Sequence, residues 1–161
     1  VRAWALWAYF RRVHQSLALL QALFMLLHDA VLAASLPLLV VAAQVSTSEP
    51  ALSSTLTALQ TSAFHVGLLL FSGHLLVNGA LALKDDAIPA VVGALVVVAG
   101  VGYAVDSGVR VFAGVSPGWL SLLVPTNVLG ELGLAVWLGV GGGRMSPARS
   151  PNPLPDAAAA S

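Results

Sequence analysis

In the stretch GYAVDSGVR, Gly102 to Arg110, an aspartate and an arginine stand four residues apart in a run otherwise dominated by valine, alanine and glycine. On a helix that spacing puts both side chains on one face, in the acid-before-base order that favours an ion pair. Other polar groups interrupt apolar runs in the same manner: His28 beside Asp29, His65, Tyr103 one turn before Asp106, and Asn127 one turn before Glu131. The chemistry open to such groups is charge pairing, proton carriage by a carboxylate, or imidazole ligation of a metal or haem.

Spacing argues against ligation. His65 and His74 project to opposite sides of one helix, His65 with Ser72 and His74 with Asn78, so the two imidazoles cannot share a centre. His28 and Asp29 are adjacent on diverging vectors, unlike the His-x-x-x-His of a helical zinc site. Cysteine is absent, which removes disulfides, thiolate catalysis and Cys-ligated metals together. The run GVGGG, Gly139 to Gly143, follows a helix and reads as a helix stop and linker, not a phosphate loop. No Ser-His-Asp or nucleophile-elbow pattern occurs. We therefore expect no catalytic residue, metal or cofactor, and a chain that is not an enzyme; an intramembrane enzyme using His28 with Asp29 ranks last among the readings.

The elements that carry these groups follow from composition. The 161 residues are 58% hydrophobic and 9% charged, against about 25% charge in soluble domains. Seven basic residues balance seven acidic ones, so no basic surface points to nucleic acid. A spanning helix needs about 20 mostly apolar residues. Four windows qualify, at about 16–45, 58–83, 88–113 and 119–140. The expected fold class is all-α: an antiparallel bundle of four transmembrane helices over residues 1–140. The connections STSEPALSST, KDD and GVSPG are short and polar or bear Gly and Pro. The tail 141–161, rich in Gly, Pro, Ser and Ala, offers no core-forming period and is expected to be disordered.

If the spans alternate, Arg2, Arg11, Arg12, Lys84, Arg144 and Arg149 share one side and only Arg110 lies near the other, which predicts both ends in the cytoplasm. Trp4, Trp7, Tyr9, Trp119 and Trp137 suit interfacial belts. The segment Val1 to Phe10 is too short to span. The chain starts on Val without a signal-peptide pattern and is read as a fragment or trimmed product.

In the third span Gly93, Gly100, Ala104 and Gly108 form a small-residue face opposite Asp106 and Arg110, suited to close helix contact. Its apolar residues contribute roughly −4 to −7 kcal/mol to insertion, while an unpaired Asp and Arg would cost about 5 to 7. Those terms nearly cancel. The pair must therefore be shielded, and this span is expected to be the most enclosed of the four. Pro37 should loosen the first span and free the carbonyl near residue 33. By depth, Asp106, Arg110, His65 and Asn127 belong to the outer half, and Asp29 and Glu131 to the middle. Together with His28 and Tyr103 they are expected to form a buried polar cluster. Two interpretations stand: a cavity serving a small solute or protons, or a network that only specifies helix packing.

The segments IPAVVGALVVVAGVGYAVDS (Ile88–Ser107), GLLLFSGHLL (Gly67–Leu76) and PTNVLGELGLAVWL (Pro125–Leu138) resemble the bacterial integral-membrane family known as domain of unknown function 4386. The likeness is good over about 60–140 and weaker from Phe10 to about Val40. Its motif is an Ile-Pro opening a helix, a Gly-x-Gly-Tyr-x-x-Asp-Ser end, and Gly-Glu-Leu in the following helix. The resemblance implies a multi-pass protein of the bacterial cytoplasmic membrane, of which this chain would be the C-terminal portion. It carries over Pro89, Gly93, Gly102, Tyr103, Asp106, Gly130 and Glu131, while Met25 stands where members often have arginine. It implies no activity. The partners expected are the lipid bilayer and either a second copy or another membrane subunit, with the ligand unknown.

Overall fold

A computed structural model describes residues 2–115, 118–119 and 123–141. Within them the chain forms α1 (Arg2–Phe10), α2 (Gln15–Val45), α3 (Pro50–Lys84), α4 (Ala90–Gly108) and α5 (Leu123–Gly141), with no strand among the described residues. Helix α2 opens where the His14 ring accepts the Leu17 amide at 3.3 Å, satisfying one of the free N–H groups of the first turn. It continues through Pro37 to Val45.

Helix α3 begins eight residues before the expected boundary at 58. Pro50 occupies the first turn, where its missing N–H costs nothing. Thr55, Thr57, Thr61 and Ser62 then donate back to carbonyls one turn earlier, so the hydroxyls are satisfied inside the helix and do not interrupt it. Only Ser46–Glu49 remain as the connection. At 31 and 35 residues, α2 and α3 are about 46 and 52 Å long, more than the roughly 30 Å of hydrocarbon in a bilayer. Their hairpin is therefore longer than such a layer is thick.

Helix α4 ends in a wider π-helical turn, Val109–Ala113, and stops at Gly114, whose φ of 64° is the left-handed conformation that glycine adopts without strain. The π turn has no counterpart in the sequence reading.

Three described helices are long and apolar enough to cross a membrane: Gln15–Val45, Pro50–Lys84 and Ala90–Ala113. The fourth expected span, 119–140, corresponds to α5. Its apolar stretch Val128–Val140 rises only about 20 Å, short of a full crossing, and residues 120–122 fall outside the described residues. So does the tail 142–161.

The buried apolar residues mix small and large side chains, Ala18, Ala22, Ala82 and Ala99 with Phe10, Leu75, Leu81 and Val96, while Leu19, Leu23, Leu26, Leu36, Val91 and Leu132 face outward. Close backbone packing is what distinguishes a neighbouring helix from lipid. The α3–α4 seam shows that packing. A Cβ on Gly79 would lie 2.6 Å from Val97 Cγ2, and one on Gly93 would lie 2.9 Å from Leu83 Cγ. Gly108 and Gly133, by contrast, have open space beside them. The most enclosed of the three long helices is α3, not α4, because α3 lies between α2 and α4 and is covered on two sides. Partner numbers fall in α3 as they rise in α2: Gln21 meets His74, His28 meets Gly67, and Ala42 meets Ser53.

Candidate functional site

The expected polar cluster divides into two groups and loses one member. The first group sits at the π-helical end of α4. Arg110 Nε donates to Asp106 Oδ1 at 2.9 Å, both side chains being largely buried. This is the i,i+4 pair that the spacing predicts. His65 of α3 faces the pair across a cavity of about 250 Å³ bordered by Thr61, Ser62 and Gly114. The His65 Nδ1 is buried without a partner among the described residues.

The second group lies deeper, along the face of α3 that carries His74 and Asn78. His74 Nδ1 lies 3.1 Å from the Gln21 carbonyl and 3.2 Å from the Gln21 amide. The carbonyl only accepts and the amide nitrogen only donates, so the ring tautomer decides which of the two contacts is the hydrogen bond. The His28 Nδ1 donates to the Gly67 carbonyl at 2.8 Å. Phe71 lies between the two imidazoles, stacked on His74 with centroids 5.5 Å apart and tilted against His28 at 4.9 Å. Its ring edge also meets Tyr103 at 5.6 Å. From α5, Glu131 reaches the Tyr103 hydroxyl.

Helix α5 comes this close because Gly130 has no side chain. A Cβ there would stand 2.6 Å from the Leu95 carbonyl and from Ala99 Cβ. Glu131 is thereby carried against α4, where its Oε1 is buried with no partner among the described residues, as is the Oδ1 of Asn78. Leaving an acceptor buried and unmet costs about 1–3 kcal/mol. Both residues, with His74, Phe71, Met25 and Arg2, line a mainly apolar cavity of about 440 Å³ between α1 and the α3–α5 helices.

Asp29 does not belong to either group. Adjacent helix residues diverge by about 100°, so with His28 turned inward Asp29 points out, 51% exposed, with only Arg2 of α1 at 3.9 Å. Asn127 lies on α5, but its side chain is outside the described residues. Gln21, His74 and Asn78 are the members that the sequence reading passed over. The signal was present in the i,i+4 pairing of His74 with Asn78 and in Gln21 on the inward face of α2. Among the described residues no cluster of His, Cys, Asp or Glu could hold a metal ion.

The opposite end holds a second satisfied pair. Arg12, between α1 and α2, donates to Asp85, after α3, at 2.9 Å, and its guanidinium lies 4.4 Å over the Tyr9 ring. Burial pushes the Tyr9 phenol above its ordinary range, and the Asp85 carboxylate adds to the rise.

A sequence model of one protein family, described as Domain of unknown function (DUF4386), matches residues 1–142. The match covers most of the chain, so the expectation that only a C-terminal portion of the family's pattern is present is not borne out. No curated protein and no solved structure matches significantly.

Proposed function

The chain belongs to the DUF4386 family, whose description assigns no activity, and from that premise we propose that it is a small-solute or proton-coupled component of the bacterial cytoplasmic membrane. In this reading α2, α3, α4 and α5 are four antiparallel spans with both chain ends in the cytoplasm, and the protein is not an enzyme. The Arg12–Asp85 contact supports the orientation, since it draws two basic connections, at Arg11–Arg12 and at Lys84, to one end. Solute handling rests on one observation: Glu131 and Asn78 present to a cavity of about 440 Å³ buried acceptor atoms that have no partner among the described residues. An intramembrane carboxylate without a fixed cation is a group that a proton or a solute can occupy.

Proton-linked flux in liposomes, measured for the parent and for Glu131→Gln, tests this. The parent should carry flux and the variant should lose most of it. No flux in the parent, or equal flux in both, counts against the proposal.

A second reading has its own support. The Asp106–Arg110 pair is complete within one helix, as expected of charges that specify packing in a structural or signalling subunit, alone or with a second copy. It requires that removing the pair affects stability alone.

A further inference from the structure

The cavity between α1 and the α3–α5 helices is lined by acceptor atoms that have no donor among the described residues. Asn78 is 2% exposed and its Oδ1 has no such partner, and Glu131 Oε1 is buried in the same condition while the carboxylate reaches the Tyr103 hydroxyl. The remaining wall is apolar, built from residues such as Phe71, Leu75 and Val96. A guest that completes this site brings N–H or O–H donors at one end and hydrocarbon at the other.

Charge decides between those donors. Glu131 has no salt bridge among the described residues, and Arg2, the basic residue on the same cavity, stands beside Asp29 at 3.9 Å. A carboxylate so placed is neutralised by a proton or by a cation that enters with its own apolar body.

We propose that this cavity binds lipophilic primary or secondary amines in their ammonium form, the N–H groups donating to Glu131 and Asn78 and the hydrocarbon lying against Phe71 and Val96. The ammonium enters as the cation and pairs with the Glu131 carboxylate. The inference rests on the reading of this cavity as a solute site and names the solute class.

Calorimetry on the purified full chain in detergent tests it, with 2-phenylethylamine and its neutral analogue 2-phenylethanol. The amine should bind more tightly than the alcohol. Glu131→Gln should weaken the amine by about thirtyfold or more and leave the alcohol within about twofold. If that variant does not fold, Asn78→Leu replaces it and should weaken the amine by about tenfold. Equal affinity for amine and alcohol, no amine binding, unchanged affinity in the variant that folds, or a co-purified lipid that the amine does not displace would each overturn the proposal. Proton flux through Glu131 without amine binding would preserve the proposed function and remove this inference. Amine binding without flux would do the reverse.

Discussion

The π-helical end of α4 and the interior beside α5 contain the same kinds of side chain in opposite conditions. At the first, Asp106 and Arg110 meet at 2.9 Å inside a single helix, and the charge cancels locally. At the second, Glu131 is held among apolar side chains by the close approach at Gly130, and one of its oxygens meets no partner among the described residues. A completed pair has little left to offer a ligand, whereas an incomplete acceptor is maintained at a cost in stability that must have some other justification. On the proposed reading, packing belongs to the first region and binding to the second.

The largest effect should come from breaking the completed pair. Asp106→Ala leaves the Arg110 guanidinium largely buried without its acceptor, and we expect a loss of about 1–3 kcal/mol in detergent unfolding. Adding Arg110→Leu removes the stranded charge and should restore most of that loss. Flux should be unchanged wherever the protein remains folded. A double variant as unstable as the single one would show that Asp106 serves a partner other than Arg110, and lost flux in a stable double variant would place the pair in the functional region.

Asn78→Leu should act in the other direction and by less. Its Oδ1 forms no bond that the substitution can break, and leucine has a similar volume, so the variant should gain about 0.5–1.5 kcal/mol while losing flux. Stability lost instead of gained would mean that the Asn78 amide is bonded within the fold, and the two regions would no longer differ in kind.

How much of this contrast the sequence disclosed depends on how local each feature is. The Asp106–Arg110 pair was legible because four residues of one helix determine it. The long apolar runs revealed α2 and α4, since hydropathy needs no knowledge of neighbours. The start of α3 was hidden because serine and threonine look like loop residues when their hydroxyls are not seen bonding back to the helix. The strip of Gln21, His74 and Asn78 was harder still. Helices apolar on every side carry no periodicity that marks an inward face, so only the packing of α3 between α2 and α4 decides which polar groups converge. The same packing turned α3, not α4, into the most enclosed helix.

Asp29 gives the smallest expected effect and the sharpest check on that lesson. Its neighbour His28 is buried and bonded to the Gly67 carbonyl, and the helical step that turns one inward turns the other out. Being 51% exposed, with Arg2 no closer than 3.9 Å, Asp29 forms the kind of loose pair that contributes about 0–1 kcal/mol. Asp29→Asn should therefore shift stability by no more than about 0.5 kcal/mol and leave flux through the Glu131 cavity as it was. The one route by which it could matter is Arg2, which borders that cavity. Without the Asp29 charge, Arg2 becomes available to Glu131, and a cation there would occupy the carboxylate that the proposed solute needs. A marked fall in flux with stability intact would thus identify Asp29 as the group that holds Arg2 away from Glu131. The boundary between the paired and unpaired regions would then run through α1.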